Sequence, residues 1–201
     1  MKLIKKRVKL SQFFGVIVFS YYLLGASFWS LNNAVLGGAL FFIGTVMVAV
    51  GVLGRVWCLS YIGGNKRNMV IQHGPYSLCR NPLYLFSLIG AIGIGLATKT
   101  FIFPLIIFVF FVVYYPFVIR KEEAELKLKF GTEFENFMKK IPSRIIPSFR
   151  NYAGLERTEI NLNSFRKGIS DLIFFIIPIG IFPFIETLHA IGLMPFFYYI
   201  Y

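Results

Sequence analysis

Uncharged apolar runs constrain this chain more than any other feature. Residues 13–31 carry no Asp, Glu, Lys or Arg over 19 positions, 34–54 none over 21, 83–98 none over 16 and 100–119 none over 20. A fifth stretch, 172–201, is interrupted only by Glu186 and His189. A helix crosses the hydrocarbon core with about 20 apolar residues. With 57% hydrophobic residues, 15% charged ones and a mean hydropathy of +0.69, most of the 201 residues are consumed by such segments. The expectation is an all-α, polytopic integral membrane protein with about five transmembrane helices. They form a single transmembrane domain over residues 1–201. The first run is long enough to remain as an anchor and lacks a small-residue cleavage pattern. The third is short, so it should stand steeply or have its ends covered by neighbours. The fifth either crosses once or folds back near Gly192 and Pro195.

The charges test this layout. If segments 1–10, 55–82 and 120–170 share one side, they hold 20 of the 21 Lys and Arg residues, and Lys99 alone lies opposite. Basic residues accumulate on cytoplasmic loops, so the N-terminus and the main polar loops are placed in the cytoplasm. A net charge of +12 in a soluble protein would suggest nucleic acid. Here it suggests anionic lipid headgroups, with no nucleic-acid partner. Cys58 and Cys79 are too few and too far apart for a metal knuckle and read as reduced apolar fillers. Trp29 and Trp57 fall near opposite ends of the first two spans, as interface anchors do.

The polar segments are where soluble chemistry has room. Residues 122–141 read as a helix continuing out of the fourth span. Leu126, Phe130, Phe134, Phe137 and Ile141 recur at steps of four and three and form one apolar face. That face suits either the headgroup layer or the ends of the spans. Glu123–Lys127 and Glu125–Lys129 have the spacing of stabilising pairs. Gly131 weakens this helix and Pro142 ends it.

The densest polar cluster is His73-Gly74-Pro75-Tyr76-Ser77-Leu78-Cys79-Arg80-Asn81-Pro82-Leu83-Tyr84. Asn81 suits an N-cap and Pro82 a first helical position, so the third span should begin here. A helix N-terminus beside Arg80 attracts a carboxylate or phosphate. Gly74-Pro75 supplies the turn that leads in. The plainer alternative is that Arg80 only anchors the chain on lipid phosphates. The apolar hairpin that follows returns the chain to the same face, which lets Glu122 and Glu123 approach Arg80. Glu186 and His189 share one helix face but have no third ligand, and they read as wet groups near the outer interface beside a helix broken at Pro183 and Pro195. Gly63-Gly64-Asn65-Lys66 reads as a flexible loop. His73 reads as a loop histidine and a candidate base.

In this order, Gly74-Pro75-Tyr76, Arg80-Asn81-Pro82-Leu83-Tyr84, Glu122-Glu123-x-x-Leu126, Phe130-Gly131-x-x-Phe134-x-x-Phe137, Pro142 and Ile146-Pro147 resemble the isoprenylcysteine carboxyl methyltransferase-like family, which is related to the phospholipid N-methyltransferases. The resemblance covers residues 54–149, leaving 150–201 as a linker and a C-terminal membrane extension. It implies S-adenosyl-L-methionine bound on the cytoplasmic side and a lipophilic acceptor that enters from the bilayer. Carried across, it implies cofactor-binding roles for Gly74, Tyr76, Arg80, Asn81, Pro82, Tyr84, Glu122 and Glu123, with Arg80 and Glu123 at the chemistry and no metal. Two positions depart from the family pattern. Asn81 stands where the family has histidine, and Phe134 and Phe137 stand where tyrosines are common. The alternatives are a non-catalytic scaffold or anionic-lipid binder with the same fold, and a membrane isoprenoid or sterol reductase. Against the latter stand the short chain and the lack of a dinucleotide fingerprint.

Overall fold

The computed structural model describes residues 2–63, 69–157 and 160–201, and their side chains except those of 2–9 and 151. The Gly63–Lys66 loop lies, beyond Gly63, outside the described residues.

Among these the chain is mostly helical. Helix α1 spans Lys2–Leu23, strand β1 Gly25–Ser27, and α2 Phe28–Asn32. The long α3, Ala34–Ile62, is capped by the Asn33 side chain, which accepts from the Leu36 amide. A single turn, α4 (Pro75–Leu78), precedes α5 (Pro82–Ala97). Then come α6 (Ile102–Phe130), α7 (Thr132–Lys140), a short 3-10 turn at Phe149–Asn151, α8 (Leu162–Ser170), α9 (Ile173–Ala190) and strand β2 (Tyr198–Ile200).

Three stretches are long and apolar enough to cross a membrane: Ala34–Ile62, Ile102–Phe130 and Leu162–Ala190. The apolar part of α1, Leu10–Leu23, and α5 are shorter. At 1.5 Å per residue, α5 reaches about 24 Å, less than the ~30 Å hydrocarbon core. Large apolar side chains such as Phe42, Leu53, Val113, Phe117 and Phe174 point outward, as they do on surfaces that face lipid.

Helix α5 lies at the centre, packed against α3, α6 and α9. Glycines set its approach to α3. A Cβ on Gly51 would fall 2.6 Å from the Gly90 Cα, and one on Gly44 2.6 Å from the Gly93 carbonyl oxygen. Small residues on facing helices let the backbones meet, and dispersion contacts along the seam then hold the pair. Helix α1 packs on α6 through the stacked rings of Phe14 and Phe110, 4.1 Å apart.

Several expectations are corrected. The all-α reading misses a two-stranded parallel sheet, in which Gly25 pairs with Tyr198 and Ser27 with Ile200. Backbone groups at a buried helix end need partners, and this short ladder supplies them. The first span does not continue to Leu31, because the chain turns extended at Gly25, where Tyr198 and Ile200 leave no room for a side chain. The second does not stop at Gly54. Arg55 remains inside α3 because its Nη1 donates to Ser87 Oγ and its guanidinium lies 5.2 Å from the Phe175 ring centroid. Pro183 does not break α9, which runs unbroken past it and Pro178. The helix ends at Ala190, and Gly192, at φ 75°, turns the chain toward β2. Lys99 pairs with Glu186 at 2.5 Å, and Ser30 Oγ donates to the same carboxylate. Glu186 is therefore an ion-pair member rather than a merely wet group, and His189 Nε2 lies 3.3 Å from the Leu23 carbonyl oxygen. The helix expected over 122–141 is two helices, since Gly131 adopts φ 52° and separates α6 from α7.

Candidate active site

Residues preceding α5 build one wall of the candidate site. Gly74 adopts φ 60°, and a Cβ there would lie 2.4 Å from the Tyr61 ring. A side chain is thus excluded both by backbone conformation and by space. Its amide donates to the Ala153 carbonyl at 2.7 Å. Ser77 Oγ donates to the Gly74 carbonyl and accepts from the Ala153 amide. This turn fixes Tyr76 and Arg80.

Helix α6 supplies the opposite wall. Adjacent helical residues point about 100° apart, so only one of two neighbouring glutamates can face inward. Glu123 does so. Arg80 Nε donates to its Oε1 at 2.8 Å, and Arg144 Nε donates to its Oε2 at 3.1 Å. The Arg80 and Glu123 side chains are each 9% exposed, whereas that of Arg144 is 50% exposed. Arg80 Nη1 also donates to the carbonyls of Ile141 and Pro142, at 3.0 and 2.8 Å. A buried ion pair persists only with such additional hydrogen bonds, because both charges have lost water.

Asn81 occupies the cap position of α5, but its side chain does not cap the helix. The amide turns instead to Glu123 Oε1 and to the Arg144 carbonyl, each at 3.3 Å. These two acceptors orient the side chain through its Nδ2 donor, and a carboxylate is the stronger of them. The expected pairing of Glu123 with Lys127 is likewise replaced, and Lys127 bridges to Glu135 across the Gly131 break at 2.8 Å.

Arg80, Asn81, Glu123 and Tyr76 line one cavity of about 80 Å³, closed on its apolar side by Ile62, Val70, Leu126, Phe134 and Phe137. Phe134, Phe137 and Ile141 are buried together. The apolar face of α7 therefore covers the ends of the long helices and the cavity, which decides between the two placements open to it in sequence. The Tyr76 hydroxyl is buried without a hydrogen-bond partner. Burial above all, with the Cys58 and Cys79 thiols next, pushes its pKa well up, so it stays a neutral donor. Burial also pushes the Cys79 thiol up to about 11.

Not every expected site residue reaches this cavity. Gly74 and Pro82 shape the chain around it, and neither lines it. Tyr84 packs elsewhere, with Phe111, Ile119 and Tyr115. Glu122 and His73 are not on the wall. Conversely, Arg144 escaped the sequence reading. Its signal was a lone basic residue in the Pro142–Pro147 stretch, 21 residues after Glu123. The loop is pinned there because the amides of Arg80 and Asn81 donate to the Ser143 and Arg144 carbonyls.

Among the described residues no group of three or more His, Cys, Asp and Glu is placed to hold a metal ion. Arg80, Asn81 and Glu123 are the polar groups on the cavity wall that could hold a charged ligand.

The chain is 34% identical over 134 residues to the cobalt-zinc-cadmium resistance protein CzcN of Cupriavidus metallidurans, a match that covers 67% of this chain and 61% of that protein. It is 30% identical over 152 residues to the nickel-cobalt-cadmium resistance protein NccN of Alcaligenes xylosoxydans xylosoxydans, covering 76% of this chain and 70% of that one. The chain thus spans less than two thirds of the length of CzcN. No solved structure matches it. The family model for phospholipid methyltransferase matches residues 32–133, a region that carries α3, α5, α6 and both Arg80 and Glu123, and the chain belongs to the phospholipid methyltransferase family.

Proposed function

We propose that this protein is a membrane-embedded methyltransferase that uses S-adenosyl-L-methionine to methylate a lipid or lipophilic small molecule. The observation that carries this reading is the Arg80–Glu123 pair on the wall of a cavity that Tyr76 and Asn81 also line. When bound, the cofactor supplies an electrophilic methyl group on a sulfonium. An amino-acid head is a zwitterion, and an Arg–Glu pair is its complement. Arg80 and Asn81 would take its carboxylate and Glu123 its ammonium, so charge stays balanced throughout the exchange. Glu122 lies off the cavity wall and takes no part in this reading. Transfer by in-line displacement then rests on positioning and on exclusion of water, which the apolar face of α7 provides.

On this reading α1 and α5 complete five crossings, the cavity lies on the cytoplasmic side together with the basic loops, and the acceptor arrives between helices. Glycine-tight packing of α3 on α5 leaves no gap along that seam, so an acceptor has to arrive elsewhere. The relatives are named for resistance to cobalt, zinc, cadmium and nickel, and on this reading the methylated product serves tolerance of such ions.

Calorimetric titration of S-adenosyl-L-methionine into the protein in nanodiscs tests the proposal. Saturable binding that Arg80→Ala and Glu123→Ala both abolish supports it. Folded wild-type protein that binds nothing overturns it and leaves a non-catalytic scaffold.

A further inference from the structure

The segment pinned beside Arg80 and Glu123 also carries exposed apolar side chains. Residues 143–153 donate to or accept from residues 74–81 and Glu123 in seven hydrogen bonds, one of them the Asn81 side-chain amide to the Arg144 carbonyl. The Ser143 and Arg144 carbonyls take the Arg80 and Asn81 amides, the Ser148 amide reaches Leu78, and the Ala153 carbonyl takes the Gly74 amide. Arg144 Nε reaches Glu123, and the Ala153 amide reaches Ser77. Beside these contacts on the strap, Ile146 is 78% exposed and Phe149 74%, while the ring of Tyr152, 52% exposed, lies 6.3 Å from that of Trp57. Between them stand the exposed Arg150 and, farther on, Arg157, with Glu156 the one acid in 143–157.

The strap also has a defined level in the bundle. It lies against the segment just before α5, where α3 passes from apolar residues to Arg55 and α6 from apolar residues to Arg120. Those transitions mark the edge of the hydrocarbon. Downstream, α8 carries exposed Leu162, Arg166 and Lys167 immediately before the chain turns apolar again in α9. Apolar and aromatic side chains interleaved with arginines at this level fit a surface with an acyl layer beneath and negative charge above. Water alone would leave Ile146 and Phe149 uncovered, and a neutral headgroup layer would leave the arginines without counter-charge.

We infer that the strap 143–157 docks on the anionic headgroup layer of the surrounding bilayer, and that this docking holds it in place against Arg80, Asn81 and Glu123. The inference does not rest on the methyl-transfer reading, because it concerns the protein without any cofactor. Its consequence is that anionic lipid, not only sequence, sets how firmly the site is assembled.

The experiment uses full-length protein in nanodiscs of phosphatidylcholine alone or with phosphatidylglycerol. Phe149→Cys is labelled with a nitroxide; the native Cys58 and Cys79 are buried and stay unlabelled. Electron paramagnetic resonance reads label depth, and hydrogen exchange reads the amides of residues 78–81 and of 143–153 other than Pro147. The expected result is a label at the headgroup–acyl boundary with slowed exchange at both segments in the anionic bilayer. Arg150→Gln should shift the label population toward water roughly five-fold, from ~1 kcal/mol per basic residue near an anionic surface. A label in water in both bilayers overturns the inference. So does exchange at residues 78–81 that is the same with and without anionic lipid.

Discussion

Arg80 and Glu123 lie 43 residues apart in sequence, yet their side chains meet at 2.8 Å in a setting where each is only 9% exposed. The partners around them are unequal, and this ranks the consequences of removing each. Without Glu123, Arg80 keeps two carbonyl acceptors but no counter-charge. Without Arg80, Glu123 keeps Arg144 and the Asn81 amide. Breaking a buried pair costs about 3–5 kcal/mol, and a half-exposed arm about 0–1 kcal/mol. Thermal unfolding in detergent should therefore rank the losses as Glu123→Ala largest, Arg80→Ala next and Arg144→Ala smallest. Equal losses for Arg80→Ala and Arg144→Ala would mean that Arg144 is the main partner.

The seam between α3 and α5 gives a contrast between two glycines of one helix. A Cβ on Gly51 meets the Gly90 backbone at 2.6 Å, and backbone cannot step aside as a flexible side chain does. One on Gly38 meets nothing within 4 Å. Gly51→Ala should lose about 1–3 kcal/mol by overpacking. Gly38→Ala should gain up to ~1 kcal/mol, because alanine favours the helix. Melting temperatures of the two variants moving in the same direction would contradict the packing.

The Cys79 thiol gives a pH test outside the long helices. Burial raises it from 9.0 to about 11, so between those values the folded protein holds a proton that the unfolded chain has released. Stability from this group is fully present below pH 9.0 and is lost as pH rises through about 11. A shift of this size corresponds to ~2–3 kcal/mol. Unfolding midpoints should fall across that window, and Cys79→Ala should flatten the fall. An unchanged slope in Cys79→Ala would assign it to other groups.

The candidate site was legible in sequence up to the point where helix phase decides. The order of Gly74-Pro75, Arg80-Asn81-Pro82 and Glu122-Glu123 located one face, because an apolar hairpin has to return the chain. Which glutamate turns inward depends on how α6 rotates against its neighbours, and tertiary packing chooses Glu123. Asn81 was readable as the residue before α5 but not as a donor to Glu123, since that partner comes from another helix. The parallel strands were invisible. Three residues such as Gly25–Ser27 and Tyr198–Ile200 show no alternation, and their pairing spans nearly the whole chain. The Lys99–Glu186 contact was hidden for a related reason. Charge counting isolates Lys99 on one side, but the acid that answers it arrives from α9, whose course past Pro183 the sequence does not fix.

Tyr76 separates ligand binding from stability. Its hydroxyl is buried and has no partner in the protein. A buried polar group left unsatisfied costs about 1–3 kcal/mol, so Tyr76→Phe should leave the protein without cofactor as stable as wild type or more so. If the hydroxyl serves a bound ligand, the same change removes one neutral hydrogen bond, worth about 0.5–1.5 kcal/mol, and affinity for S-adenosyl-L-methionine should fall roughly two- to ten-fold. A hydroxyl with only a structural role would give the opposite pair of results, a lower melting temperature and unchanged affinity. Measuring both quantities on one variant therefore distinguishes a donor kept for a ligand from a leftover of packing. Tyr76 is also the sharper probe, because Arg80 and Glu123 hold each other and their removal disturbs the fold together with the site.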